Sequence, residues 1–417
     1  MIYQSLSEAF RTFRGRLPER ARLYVGGCSG DPLALADVIR AAPDLAGGVT
    51  FLGVWIPGIN RTDWAALSPG AWAETIFLAP DYRAGFEAGR TRFLPIPYTQ
   101  AWPWLCETPL DGSVVMVSPP DGSGEVSLGV SPDFAPAVLA RGEVPVLGII
   151  NPHMPAARDS VRVPLSRFAM LAEDARPLVE VAPAALPPAF EAIARHIAGM
   201  IEAGDTLQFG LGNVQQAVLT ELAGRRGLRI HSGMVSDPVR GLMDGDPDID
   251  ITTGIAVGSA ALYARLASAK NVRFRPVIET HSLSVLAAIP RFTAINSLIE
   301  IDLFGQANAE FMGGRQVSGL GGLVDFLRGA GLSPGGRGIT ALASTAKGGA
   351  VSRIVARLAP GATSIARTDL DIVVTEHGAA RLKGRDIDAR AEALIGIADP
   401  AHRARLSDEW SRIRSRM

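Results

Sequence analysis

Short apolar runs that end in glycine and lead into helix-periodic stretches recur along this chain, and that alternation restricts its fold more than any other feature. Arg22–Val25 precedes a helical pattern over residues 31–40, and an apolar run at 114–117 follows a loop. Farther on, residues 189–203 are helix-periodic, Thr206–Phe209 is strand-like, and Gly210-Leu211-Gly212-Asn213 opens a second helical pattern near Gln215. Short apolar runs bounded by turn residues read as strands, and a period near 3.6 reads as helix. Strands alternating with helices predict an α/β fold with mostly parallel sheets, because a parallel pair needs a crossover that returns the chain to the same end.

At 417 residues, 47% hydrophobic and 20% charged, the chain can bury a large core, and its length points to two domains. Residues 176–188 (RPLVEVAPAALPP) break the alternation with proline and alanine and read as a connection. The expected division is therefore 1–185 and 186–417. With 41 Lys+Arg against 42 Asp+Glu the formal charge is −1, which provides no field to steer the protein toward nucleic acid or an anionic membrane. Cys28 and Cys106 show neither metal-ligand spacing nor a disulfide framework, so a reducing cytoplasm is expected. The N-terminus lacks the apolar core of a secretory signal, and runs such as 144–150 fall well short of the roughly 20 residues that cross a bilayer.

The turn at Gly210-Leu211-Gly212-Asn213 lies where free backbone N–H groups at a helix start favour an anion, such as a phosphate or thioester oxygen. An ordinary tight turn would use the same residues, and the third glycine of a dinucleotide fingerprint is missing. A second cluster, Ser318-Gly319-Leu320-Gly321-Gly322, precedes a helical turn at 324–327. Its amides suit an oxyanion hole, and equally a flexible surface loop. Lysine occurs only at Lys270, Lys347 and Lys383. Lys347 stands beside Ser344, Thr345, Ala346, Gly348 and Gly349, small neighbours past which an ammonium can reach a phosphate; a solvated loop lysine is the plain alternative.

His153, His196, His231, His281, His377 and His402 show no HxH or HxxxH spacing, so no metal is expected. Nor is there a GxSxG elbow for a serine nucleophile. His231 and His377 close the apolar runs 228–230 and 372–374, as strand ends facing a cleft would, although structural histidines are commoner. Trp55, Trp72, Trp102 and Trp104 suit either core packing or the wall of an acyl site. For Arg315 and Arg328 surface and structural roles are expected.

Taken in order, GGCSGDP at 26–32, VSPPD at 117–121, SLGVS at 127–131 and NPHMP at 151–155 begin a likeness that the second half strengthens. There it continues through GLG at 210–212, HSGMVSD at 231–237, AINS at 294–297, EIDLFGQ at 300–306, GGRQ at 313–316, SGLGG at 318–322, DF at 325–326, RGA at 328–330, STAKGG at 344–349 and VVTEHG at 373–378. With these motifs the chain resembles the acetyl-CoA hydrolase/4-hydroxybutyrate CoA-transferase family almost from end to end. The resemblance implies two similar open α/β domains of the CoA-transferase (NagB/RpiA-like) type. It also implies that acyl-CoA, the substrate form of coenzyme A, binds in the cleft between them and mainly through the second domain.

Carried over residue by residue, Gly210, Leu211, Gly212, Asn213 and Val214 match the coenzyme A loop. Gly319, Gly321 and Gly322 match the loop that meets the thioester oxygen, Lys347 the lysine that helps hold the coenzyme, and Asn296 a motif lining the same pocket. The family's active-site strand carries a glutamate where this chain has Gly233. That glutamate attacks the acyl-CoA and becomes a glutamyl-CoA thioester before CoA passes to a second carboxylate. Gly233 has no carboxylate, and on a strand Ser232 and Met234 point to the opposite face.

Three readings stay open. Another carboxylate takes over, Asp237, Glu376 or Glu279, of which Glu279 lies in the unmatched stretch Val277-Ile278-Glu279-Thr280-His281. Alternatively, water attacks with His231 or Glu279 as base, or the chain binds acyl-CoA without turnover. A homodimer is expected from base rates.

Overall fold

The computed structural model describes residues 2–3, 5–182, 185–361 and 363–417; Pro183 and Ala184, within the expected connection, lie outside the described residues. Contacts between residues divide the chain into two compact units. The first comprises Met1–Ala182, Thr252–Thr280 and Val317–Gly321, and the second Pro183–Ile251, His281–Gln316 and Gly322–Met417. The fold is α/β with mostly parallel sheets, as the alternation predicts.

The first unit is built on β1 (Ile2–Tyr3), β2 (Arg22–Val25), β3 (Thr50–Gly53), β4 (Trp72–Thr75), β5 (Thr91–Phe93), β6 (Gly112–Val117), β7 (Val146–Ile150) and β8 (Met170–Glu173). They pair in the order β1-β8-β7-β6-β2-β3-β4-β5, every pair parallel. β6 and β7 are buried along their whole lengths, as strands covered on both faces are. The helix Leu6–Arg14 buries Leu6, Ala9, Phe10 and Phe13, an i, i+3, i+4, i+7 stripe, against the apolar core that also holds Phe51, Trp55 and Trp64. Fully burying each of the leucine and phenylalanine side chains contributes about 1.5–3 kcal/mol. Trp55 stacks on Trp64 at 5.9 Å and so belongs to the core, whereas Trp72 is exposed beneath Arg92.

Later chain also joins this unit. Ala256 N–H donates to the Val130 carbonyl at 2.9 Å and Phe274 N–H to that of Asp159 at 2.8 Å, while the Ser318 and Gly321 carbonyls accept from Leu78 and Tyr98 at 3.3 and 3.0 Å.

The second unit contains β9 (Thr206–Phe209), β10 (Arg229–Val235), β11 (Phe292–Ser297), β12 (Arg337–Ala341), β13 (Ile372–Thr375) and β14 (Gly378–Arg381), which follow one another in its sheet as β10-β9-β11-β12-β13-β14. All these pairs are parallel except the terminal hairpin β13-β14. At the amino ends of three adjacent strands the fully buried carboxylate of Asp205 accepts from Arg291 at 2.8 Å and Arg337 at 2.5 Å. One acid thus joins the starts of β9, β11 and β12. His231 lies inside β10 rather than at a strand end: the strand runs on through Ser232 and Gly233 to Val235.

In each sheet the chain order reverses beside the first central strand, between β2 and β6 and between β9 and β11, and ligands of open α/β sheets bind outside the carboxyl ends at such a point. In the first unit the loop after β2 is filled from within. Asn60 Oδ1 accepts from the Cys28 and Ile56 amides at 3.0 and 2.9 Å, and its Nδ2 donates to Asp31 Oδ2 at 2.9 Å. Cys28 Sγ lies 3.4 Å from Asp133 Oδ2.

Burial pushes the carboxyl of Asp31 up to about 7 against the opposing effects of Asn60 and Arg40, and burial does the same to Asp133 against its bond from Cys28. An unfolded aspartate titrates near 3.9, so between about pH 4 and 7 the folded chain holds protons that the unfolded chain has released. Stability contributed by the protonated acids is full below pH 4 and lost as pH rises through 7, on the order of 2–4 kcal/mol per carboxyl. Asp31→Asn should therefore lose less stability than wild type between pH 5 and pH 8, by about that amount, in urea melts followed at both pH values.

Candidate functional site

The reversal point of the second sheet opens into a pocket of about 740 Å³, lined by the loops that follow β9, β11, β12 and β13. Leu211, Gly212 and Asn213 come from the first of these loops, Ser297 and Leu298 from the second, and Lys347, Arg353 and Glu376 from the last two. Gly212 caps the helix Asn213–Glu221 at φ +106°, a conformation that side chains rarely adopt and glycine takes freely. Gly210 is glycine for another reason: a β-carbon there would lie 2.4 Å from Asn296 Oδ1.

Asn296 is buried in β11 and exchanges amide hydrogen bonds with Gln208 of β9, so it braces the strands just behind the pocket wall. Val214 is buried in the first turn of the helix. Lys347 is exposed at the tip of the hairpin between Thr345–Ala346 and Val351–Ser352, with φ +51°, beside Gly348 and Gly349 at +67° and +95°.

Two charged lining residues have partners that only the structure reveals. Glu376 accepts from the Ser344 amide and hydroxyl, each at 2.8 Å, so both its oxygens anchor the root of the lysine hairpin. Arg353 donates Nη1–H to the Ile299 carbonyl at 3.1 Å and its amide to that of Ser344 at 2.8 Å, while its Nε is buried with no hydrogen-bond partner. A lone arginine in SRI offers no spacing that would have revealed it. Lys347 and Arg353 together give the pocket cations suited to phosphate oxygens, alongside the amides at the helix start.

Gly233 occupies the middle of β10, with His231 two residues earlier on the same face. Ser232, on the other face, is fully buried and its hydroxyl donates to the Phe209 carbonyl at 3.2 Å. Against Gly233 lies His281, only 1% exposed: a β-carbon on Gly233 would stand 2.8 Å from its Cε1 and 2.8 Å from its Nε2. A β-carbon on Gly322, the cap residue of the helix Leu323–Leu332, would approach the same ring at 2.4 and 2.5 Å. Phe326 packs on the imidazole with centroids 4.4 Å apart, and His231 packs edge-on to Phe292 at 6.2 Å. Burial, helped by the neighbouring His231, pushes His281 down to about 3, so the ring is neutral at physiological pH.

Glu279, two residues before His281, lies in the first unit. It is about half exposed and 3.5 Å from Arg275. Gly319 and Gly321 also belong to that unit. A β-carbon on Gly319 would meet the Ile76 carbonyl at 2.1 Å, and Gly321 turns at φ +54° against Phe77. Asp237 lies 3.4 Å from Arg240, Arg328 pairs with Asp369 at 3.0 Å, and Arg315 is exposed in a hairpin. Among the described residues no group of three or more His, Cys, Asp or Glu is placed to hold a metal, and no helix is long and apolar enough to cross a membrane.

Comparisons with known proteins agree with this geometry. Residues 258–410 match the family model described as acetyl-CoA hydrolase/transferase C-terminal domain. The chain is 31% identical over 409 residues to 4-hydroxybutyrate coenzyme A transferase of Clostridium kluyveri, covering 95% of each protein. Among solved structures, RipA from Yersinia pestis aligns with a TM-score of 0.90 at 27% identity over 99% of this chain and 97% of that one. The 4-hydroxybutyrate CoA-transferase of Porphyromonas gingivalis aligns at 0.81 and 28% identity, over 100% and 98%. The sheet whose carboxyl edge opens into the 740 Å³ pocket belongs to a fold shared with known CoA-transferases, and the chain belongs to the acetyl-CoA hydrolase/4-hydroxybutyrate CoA-transferase family.

Proposed function

We propose that this protein processes short-chain acyl-CoA thioesters and that hydrolysis outweighs covalent CoA transfer. The observation that carries the reading is the pocket at the second sheet's reversal point, where Leu211, Gly212, Asn213 and Lys347 share one cavity. All its lining residues follow residue 186, so most of the coenzyme site lies in the expected 186–417 part of the chain. The helix-start amides, Lys347 and Arg353 bind the phosphates of coenzyme A. Asn296 acts from behind the wall by holding β11 to β9 and keeping Ser297 and Leu298 in place. Gly321 and Gly322 direct backbone amides at the thioester oxygen, whose charge grows as the carbonyl becomes tetrahedral.

Position 233 corresponds, on this reading, to the family's glutamate. Without that carboxylate, water adds to the carbonyl carbon, a base takes the water's proton, and the C–S bond breaks to release CoA thiolate and the free acid. His231 serves as that base on the face of β10 that also carries Gly233. Glu279, exposed beside Arg275, is the alternative base.

Purified protein incubated with acetyl-, propionyl-, butyryl- or succinyl-CoA should release free thiol at a rate independent of added acetate. Acetate-dependent formation of acetyl-CoA from the longer esters would instead show transfer. A rise in melting temperature with CoA esters, without thiol release or exchange, would show a binding protein. Lys347→Ala should weaken the binding of CoA esters by about tenfold while leaving that of the dephosphorylated pantetheine esters nearly unchanged, because a single phosphate contact is worth roughly 1.4 kcal/mol. Isothermal titration with both ligand sets measures this.

A further inference from the structure

His281 governs which residue position 233 can accommodate. The strand backbone at Gly233 lies outside the positive-φ region, so conformation does not require glycine there; the approach of the imidazole does. The two atoms nearest a β-carbon at 233 both belong to that ring, while the next, Phe326 Cε2 at 3.6 Å, is at ordinary contact distance. The ring has little room to yield. Phe326 backs it, and Gly322 lies so close that a β-carbon there would come within 2.5 Å of Nε2. Two glycines from separate elements, one in β10 and one capping the helix Leu323–Leu332, therefore enclose a single buried imidazole.

We propose that Gly233 and His281 are an exchanged pair: the imidazole occupies the volume that a glutamate at 233 would need, and its presence selects against the covalent route. The proposal rests on the reading of position 233 as the family's glutamate position. In the covalent route a carboxylate oxygen bonds to the acyl carbon, the C–S bond breaks, and CoA leaves as thiolate. That thiolate then attacks the side-chain carbonyl and expels the acyl group as its carboxylate, leaving a glutamyl-CoA thioester. With the imidazole in place neither bond can form at 233. The ring, neutral as its burial makes it, puts no charge where an anion would have stood.

The pair predicts coupling that can be read without any activity. Gly233→Ala and Gly233→Glu should each lower the melting temperature in the wild-type background, the glutamate variant by about 2–8 °C through overpacking. In the His281→Ala background each should cost half as much or less. Additive effects in both series would overturn the proposal, and the alanine series decides the matter if a glutamate variant fails to fold.

The functional arm uses acetyl- or butyryl-CoA with acetate. Gly233→Glu/His281→Ala should gain acetate-dependent CoA exchange and, with acyl-CoA alone, a mass increase of one coenzyme A less one water at residue 233. Gly233→Glu alone should show a tenth of that exchange or less. Equal exchange in the two variants would overturn the steric argument. Thermal coupling with no adduct in the double variant would overturn the assignment of position 233, and with it the exchange, while leaving acyl-CoA binding in the 740 Å³ pocket intact.

Discussion

Parallel pairing is the constraint from which the rest of this structure follows. A strand that runs parallel to its neighbour must be reached by a crossover, so every central strand leaves its sheet at the same edge and the loops gather there. In the second unit this brings together turns at residues 211–213, 297–298, 345–349 and 376, which are far apart in sequence and share one pocket. The opposite edge needs no such access and is closed by charge, with Asp205 holding Arg291 and Arg337 at the strand starts. The pocket and the ionic anchor thus lie at opposite ends of the same strands.

Around that pocket and its neighbouring strand, glycine serves two distinct physical needs. Gly212 and the Gly348-Gly349 pair take positive φ, which shapes the turns that present amides and Lys347. Gly210, Gly233 and Gly322 are instead positions where another side chain comes too close for a β-carbon, from Asn296 in the first case and from His281 in the other two. The difference matters for function. A turn glycine supports a binding loop, whereas Gly233 marks a side-chain volume claimed by a different residue.

The sequence motifs picked out the 210–214 turn and the Lys347 segment that line the pocket, and the family, because each rests on contiguous residues whose spacing carries the signal. The charge that Arg353 brings to the pocket was not legible, and although Glu376 stood in a motif its anchoring of Ser344 was not either, since both act through hydrogen bonds to groups distant in sequence. Glu279 and His281 make the contrast sharper. Both stand in the stretch 277–281, which lies outside the motifs that carry the resemblance, and a search for carboxylates favours the first. Two residues of backbone nevertheless separate an exposed acid near Arg275 from an imidazole that is fully enclosed against β10.

Taken by itself, the amino-acid sequence determined the α/β class, the parallel sheets, the family and the absence of a carboxylate at 233, because periodicity, turn composition and residue identity are local properties of the chain. Tertiary structure decided that Asn296 braces the pocket from behind, that Lys347 and Arg353 share it, and that His281 takes the space beside Gly233. Those are statements about which atoms exclude one another, and exclusion between β10, residue 281 and the helix cap at Gly322 exists only once distant segments have packed to contact.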